Sequence, residues 1–111
     1  MSHALHFIET PTFTRLIAAL ASDDELKELQ SELIAQPEKG DLIQGTGGLR
    51  KVRMAKKGQG KSGSLRVLYY FAYAETIYLV YVYAKTTQDT LTNEEKKQLK
   101  ELVKQLRGDE K

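Results

Sequence analysis

Two β-forming runs in the second half of the chain constrain the fold more than any other feature. They are LRVLYYFA at residues 65–72 and TIYLVYVYA at residues 76–84. Both are rich in the β-branched and aromatic residues that favour strands, and the short connection between them predicts an antiparallel hairpin. A basic strand, LRKVRMA at residues 49–55, precedes them. The three strands in succession predict an antiparallel meander.

The first half of the chain has helical rather than strand periodicity. A short apolar strand is predicted at residues 4–8. A first helix, capped by Thr10, carries an apolar stripe over residues 12–21. Ser22 and Glu25 have the spacing of a capping box and predict the start of a second helix. The two helices are expected to form a hairpin that packs on the sheet.

The last predicted element is a helix over residues 93–107, which opens with a capping box formed by Thr92 and Glu95. The predicted order is therefore β-α-α-β-β-β-α. Helices segregated from a mostly antiparallel sheet define an α+β fold. The length of 111 residues predicts one domain, residues 1–111, with a frayed tail at 108–111.

Charge is distributed unevenly along the chain. Residues 42–74 contain seven basic residues and no acidic one, whereas the rest holds 10 basic and 15 acidic residues, a net charge of −5. Alternation along the basic strand places Lys51 and Arg53 on one face and Val52 and Met54 on the other. Such a block predicts a positive field over part of the surface, suited to a polyanion. A solvated basic hairpin without a partner is the alternative.

Composition excludes several kinds of site. The chain has no cysteine, so a disulfide, a thiolate metal site or a cysteine nucleophile is impossible. His3 and His6 lie in or next to the first predicted strand and, with Glu9, offer metal ligands, but a solvated strand face is the commoner use of such a pair. No apolar run approaches the ~18 residues of a membrane span, so a cytoplasmic protein that does not contact the membrane is expected.

The stretch AKKGQGKS, residues 55–62, ends like a phosphate-binding loop of nucleotide hydrolases. That loop requires a helix directly after Gly-Lys-Ser/Thr, because the helix N-terminus and backbone N–H groups hold the phosphates. Here a β-forming run follows instead, so the pattern does not predict an ATP or GTP site. The stretch is interpreted as a polar hairpin tip whose lysines meet another phosphate.

Lysine, arginine and tyrosine on one sheet suit RNA better than duplex DNA. Lys85 follows the last predicted strand on the face of Tyr81 and Tyr83. Such residues also allow RNA cleavage without a metal: a lysine whose pKa is lowered by neighbouring cations accepts the 2′-hydroxyl proton, and arginines stabilise the charge that develops on the phosphate.

Two long segments carry a family resemblance. GDLIQGTGGLRKVRMAKKGQGKSGSLRVLYYF, followed by IYLVYVYAKTTQDTLTNEEKKQLKELV, resembles the RelE/HigB superfamily of bacterial type II toxins, and the HigB-like branch in particular. The resemblance extends over residues 7–106. It implies a RelE-like fold and an endoribonuclease, needing no metal or cofactor, that cuts mRNA on the ribosome and inhibits translation. It also implies an antitoxin partner, in the HigA type a helix-turn-helix protein, with the toxin as a monomer or in a hetero-oligomer.

The resemblance also implies roles for individual residues. Arg66 is expected to stabilise the transition state, while Lys51 and Lys85 remain alternatives for the proton acceptor. The expected catalytic set is Lys51, Arg53, Arg66, Lys85 and Tyr83. The expected RNA-binding set is Arg50, Lys56, Lys57, Lys61 and Tyr69. Tyr69 or Tyr83 is expected to stack on a base or to orient the phosphate.

Two other function classes stay open from the sequence. One is a non-catalytic RNA- or ribosome-binding module on the same fold. The other is a protein-interaction domain whose basic face docks an acidic partner. The codon preference of cleavage and the antitoxin-binding surface do not follow from the sequence.

Overall fold

The structure is a computed structural model that describes residues 6–56, 60–72, 75–84 and 91–108. These residues form three helices and five strands. In chain order the elements are β1 (His6–Glu9), α1 (Pro11–Leu20), α2 (Asp23–Ala35), β2 (Asp41–Leu42), β3 (Leu49–Lys56), β4 (Gly60–Ala72), β5 (Thr76–Ala84) and α3 (Asn93–Gly108).

The five strands form one sheet in the order β1-β5-β4-β3-β2. The long strands β3, β4 and β5 pair as the predicted antiparallel meander, and β1 lies parallel to β5 at one edge. The α+β prediction is confirmed. Strand β2, which pairs with β3 at the other edge, was not predicted. Its two residues are both exposed and are too few to show an alternating pattern.

All three predicted helix starts are confirmed by their capping hydrogen bonds. The Thr10 hydroxyl accepts the backbone N–H of Phe13, with Pro11 as the first helical residue. In α2 and α3 both hydrogen bonds of the capping box form, between Ser22 and Glu25 and between Thr92 and Glu95. Helix α3 continues through residue 108. Residues 109–111 lie outside the described ranges, so the tail at 108–111 stays a prediction.

The two faces of the sheet are covered by different helices. The hairpin face, which packs under α1 and α2, contains most of the core. The opposite face, here called the α3 face, packs against Val103 of α3 through Leu49 and Val80. The buried side chains of the hairpin-face core are Phe13, Ile17, Leu29, Leu33, Val52, Met54, Leu65, Val67, Tyr69, Ile77, Leu79 and Val82.

A β-bulge in β5 changes which residues share a face. Leu68 pairs with Tyr81, but the next residue of β4, Tyr69, pairs with Leu79, so Val80 has no counterpart in β4. Val80 and Tyr81 consequently both lie on the α3 face. The carbonyl of Val80 accepts the hydroxyl of Thr10 at 2.8 Å, which ties the bulge to the start of α1.

The turn between β2 and β3 brings backbone close to α3. Gly47 has a φ of +80°, and a Cβ at this position would lie 3.5 Å from Cγ1 of Val103. The buried hydroxyl of Thr46 supports the turn, because it donates to the carbonyl of Ile43 and accepts the N–H of Leu49. Among the described helices, none is both long and apolar enough to cross a membrane.

Candidate functional site

Strand pairing aligns three of the predicted catalytic residues in one row across the sheet. Arg53 of β3 lies directly opposite Arg66 of β4, and Arg66 lies directly opposite Tyr83 of β5. Directly paired residues in antiparallel strands have Cβ atoms about 4.5–5.5 Å apart on the same face. The row lies on the α3 face, because it alternates with the hairpin-face residues Val52 and Val67.

A second row lies beside the first on the same face, and each of its residues is two positions along the strand from a residue of the first row. It consists of Lys51, Leu68 and Tyr81, again paired directly across β3, β4 and β5. Together the two rows bring the side chains of Lys51, Arg53 and Arg66, here called the basic cluster, to the same part of the α3 face. The predicted sharing of one face by Lys51 and Arg53 is confirmed, with Val52 and Met54 buried on the other.

The basic cluster is accessible and carries uncompensated charge. Arg53 is exposed, and Lys51 and Arg66 are half-buried. Within the described ranges, none of these three side chains forms an ion pair with a carboxylate. Like charges directly opposite each other across two strands are destabilising. The folded protein therefore keeps Arg53 and Arg66 close enough to repel each other, and a bound anion would reduce this repulsion.

Among the described residues, Arg66 has one hydrogen-bond partner, and it is neutral. Its Nη1 donates to the hydroxyl oxygen of Ser64 at 2.8 Å. Ser64 lies two residues earlier on β4, hence on the same face, and is only 1% exposed. Ser64 was not selected from the sequence. Its even spacing from Arg66 was the signal that could have identified it.

The tyrosines beside the basic cluster differ in accessibility. Tyr83 is only 5% exposed, and its ring centroid lies 6.0 Å from that of Tyr81. Packing covers the Tyr83 ring, so this structure does not present it for stacking on a base. The place of Tyr83 in the catalytic set, including orientation of the phosphate, stays a prediction. Tyr81 is half-buried and belongs to the row of Lys51.

Tyr69 does not belong to the candidate site. It is fully buried in the hairpin-face core, where its hydroxyl donates to the carbonyl of Pro37 at 2.8 Å and accepts the N–H of Gly40 at 2.9 Å. Burial raises the pKa of the Tyr69 phenol above its usual 10.0. The predicted RNA contact of Tyr69 is wrong. Its odd spacing from Arg66 along one strand already placed the two residues on opposite faces.

Arg50 is also separated from the basic cluster. It pairs with Tyr69 across β3 and β4, so both lie on the hairpin face. Its Nη1 donates to the carbonyls of Glu38, at 3.1 Å, and Gly40, at 2.7 Å, and the side chain is 19% exposed. This guanidinium holds the loop after α2 and is not part of the basic cluster, and the RNA contact of Arg50 stays a prediction.

The remaining predicted residues lie at or beyond the ends of the long strands. Lys56 ends β3 and Lys61 is the second residue of β4, and the register pairs Lys56 with Gly60. Both lysines thus lie where β3 and β4 extend beyond the basic cluster toward the connection between these two strands. Lys57 and Lys85 lie outside the described residues. Their roles, and those of Lys56 and Lys61, remain predictions.

The nucleotide-loop alternative has no structural support. Gly60, Lys61 and Ser62 belong to β4, which continues as a strand to Ala72. A helix N-terminus at this point is what such a loop requires. The described residues also contain no group of three potential metal-binding His, Asp or Glu side chains. His3, from the alternative metal site, lies outside these residues.

A comparison with protein families identifies the chain. A family model described as the RelE toxin of the RelE / RelB toxin-antitoxin system matches residues 8–111. The chain belongs to the RelE toxin family. Membership of this RelE family supports a toxin role within a toxin-antitoxin system, with an antitoxin as partner. The match begins within β1 and includes the other four strands, so it contains the whole basic cluster.

Proposed function

We propose that this RelE-family toxin is a metal-independent endoribonuclease, of the HigB-like branch, that cleaves mRNA on the ribosome and thereby inhibits translation. The observation that carries the proposal is the direct pairing of Arg53 with Arg66 on an accessible face, beside Lys51. Two guanidiniums without a carboxylate partner in the described part of the chain suit a phosphate group, which accepts forked hydrogen bonds from arginine.

The reaction is an internal phosphoryl transfer within the RNA. The 2′-oxygen of one nucleotide attacks the adjacent phosphorus as its proton passes to a base. The bond from phosphorus to the 5′-oxygen breaks, and that oxygen receives a proton. The products are a 2′,3′-cyclic phosphate and a 5′-hydroxyl, so the reaction consumes no water, metal or redox partner. The protein has to position the phosphate, stabilise its added charge and exchange two protons.

The proposal assigns a role to each of the predicted residues. Arg66, at the centre of the first row, stabilises the charge on the non-bridging oxygens, and Arg53 contributes from the opposite strand. Lys51 or Lys85 takes the 2′-hydroxyl proton. Lys56, Lys57 and Lys61 contact the RNA backbone further along.

The partners follow from the same proposal. The ribosome presents the mRNA. The antitoxin is a HigA-like helix-turn-helix protein that neutralises the toxin in the cytoplasm by forming a hetero-oligomer with it. The toxin acts as a monomer once it is released from this complex. A short neighbouring gene with a helix-turn-helix pattern would support this assignment.

The proposal is tested by induced expression in bacteria that lack the cognate antitoxin. Wild-type protein is expected to stop growth and translation within minutes, and primer extension on cellular mRNA is expected to reveal new 5′ ends within translated regions. Arg66→Ala is expected to lower cleavage by about 10²–10³-fold, the usual loss for one donor that stabilises developing charge.

Arg15→Ala is the matched control, because Arg15 is an exposed arginine on α1, which covers the hairpin face. It should be as toxic as wild type. Wild-type protein that leaves mRNA intact but binds ribosomes would favour the non-catalytic module. Full toxicity of a stably folded Arg66→Ala protein would remove Arg66 from the catalytic role.

A further inference from the structure

The strongest unexplained contact beside the basic cluster is the hydrogen bond from Arg66 to Ser64. The Nη1–Oγ distance is 2.8 Å, and the serine is almost fully buried at 1% exposure. Arg66 itself is half-buried and Arg53 lies directly opposite. A buried hydroxyl is thus directed at the one guanidinium to which the proposed chemistry assigns the central position.

Arg66 needs such a contact because its neighbours repel it. Arg53 is paired with it across the strands, and Lys51 lies in the adjacent row. An arginine side chain has several rotatable bonds, and repulsion from two cations favours rotamers that carry the guanidinium away from them. A carboxylate would hold the guanidinium, but it would also neutralise the charge that a phosphate requires.

A hydroxyl can hold the guanidinium without neutralising its positive charge. It is neutral, and it accepts a single N–H of the five that arginine offers. The remaining four N–H groups and the full positive charge stay available for phosphate oxygens. The serine is on β4 itself, two residues away, so strand geometry rather than a loop sets the position of its oxygen.

We propose that Ser64 is a positioning residue for Arg66, whose hydroxyl holds the guanidinium in the orientation that binds the reacting phosphate. The inference rests on the proposed endoribonuclease function. Ser64 touches Arg66 and not the RNA, so its contribution is preorganisation of a charge-stabilising group.

The test is cleavage of a defined mRNA bound to purified bacterial ribosomes, with kcat and KM measured separately. Ser64→Ala is expected to lower kcat by about tenfold, because a mispositioned catalytic group costs one to two orders of magnitude, and to leave KM within about twofold. Ser64→Cys has nearly the same shape but a much weaker acceptor, and it is expected to behave like Ser64→Ala. Ser31→Ala, an exposed serine on α2, is the control and should match wild type.

A double-mutant cycle separates positioning from a merely structural role. In an Arg66→Lys background the partner guanidinium is absent, so Ser64→Ala is expected to change kcat by less than about twofold. An equal loss of kcat in both backgrounds would overturn the proposal, and so would wild-type kcat in Ser64→Ala. Should Ser64→Ala fail to fold, the same two comparisons are made with Ser64→Cys. Failure of wild-type protein to cleave mRNA would instead contradict the proposed function itself.

Discussion

On the hairpin face of the sheet most side chains of β3, β4 and β5 are apolar, with Arg50 as a charged exception, whereas the α3 face is divided between an apolar part under α3 and the basic cluster. Adjacent residues of one strand illustrate the difference. Leu65 is buried against the helical hairpin, while the next residue, Arg66, presents its charge on the other side. The side chains of β4 that face the helical hairpin thus stabilise the fold. In our proposal, Arg66, on the opposite face of the same strand, takes part in RNA cleavage. The following predictions test how independent the two faces are.

The largest expected effect is on the hairpin face. Leu65→Ala is expected to lower the free energy of unfolding by about 2–5 kcal/mol, because it removes buried methyl groups and leaves a cavity. Arg66→Ala, at the next position, is expected to change this free energy by less than about 1 kcal/mol, because loss of the hydrogen bond to Ser64 opposes relief of the repulsion from Arg53. Urea denaturation of both variants measures the contrast. Similar losses in the two would mean that Arg66 contributes to stability as much as the core does.

A second prediction concerns the loop that Arg50 and Tyr69 hold on the hairpin face. A Cβ at Gly40 would lie 2.9 Å from the Lys51 carbonyl oxygen and 2.9 Å from Cε1 of Tyr69. Gly40→Ala is therefore expected to lower stability by about 1–3 kcal/mol through overpacking.

Gly108→Ala is the matched control for this prediction, since a Cβ there would have no atom within 4 Å. Its urea midpoint should equal or slightly exceed that of wild type. Wild-type stability of Gly40→Ala would show that the loop after α2 can shift away from the strand.

A third prediction uses the raised pKa of Tyr69. Burial favours the protonated phenol, so the folded state holds this proton more tightly than the unfolded state, whose tyrosine titrates near 10.0. The contribution of the protonated Tyr69 phenol to the free energy of unfolding is therefore fully present below pH 10. It is lost as the pH rises through the pKa that Tyr69 has in the folded state.

Tyr69→Phe tests this prediction, because phenylalanine has no such proton. The variant should be less stable than wild type at pH 8, since the partners of the lost hydroxyl are left unsatisfied, by about 1–3 kcal/mol. The difference should shrink between pH 10 and 11 in urea denaturation. A difference that stays constant over this range would contradict the assigned pKa shift.

The smallest expected effect is on the α3 face. Arg53→Gln removes the charge opposite Arg66 and is expected to raise stability by about 0.2–1 kcal/mol at low salt. The gain should largely disappear at about 1 M salt, where screening acts over ~3 Å. Arg15→Gln serves as the control for loss of an exposed arginine. A loss of stability in Arg53→Gln would mean that Arg53 has a stabilising role that outweighs the repulsion.

Most of the fold could be predicted from the sequence because its signals are local. The capping boxes of α2 and α3 depend on residues three positions apart, and the hydrogen bonds form as expected. Strand alternation depends on neighbouring residues, and it correctly separated Lys51 and Arg53 from Val52 and Met54. The two-residue strand β2 was missed because it is defined by its pairing with β3 and not by a pattern of its own.

Parity along a strand also explains which predicted site residues the structure separates from the basic cluster. Arg50 and Tyr69 were grouped with the basic cluster because they are close to it in the sequence and belong to the right chemical types. Each is an odd number of residues from a member of the cluster on its own strand, so each faces the helical hairpin. Charge and residue type indicated the region, but only the alternation within each strand indicated the face.

The sequence by itself determined the order of the helices and of the longer strands, the starts of the helices and the two faces of β3 and β4, since all three are consequences of short-range backbone geometry. Only the tertiary structure decided that Arg53 lies opposite Arg66, that Ser64 holds Arg66, and that the Val80 bulge places Tyr81 and Tyr83 on the face of the basic cluster. These depend on register between strands. Register depends on which face of each strand the whole sheet buries and on the geometry of the turns, so it does not follow from the pattern of one strand taken alone. The contact from Thr10 to Val80 joins residues that are far apart in sequence.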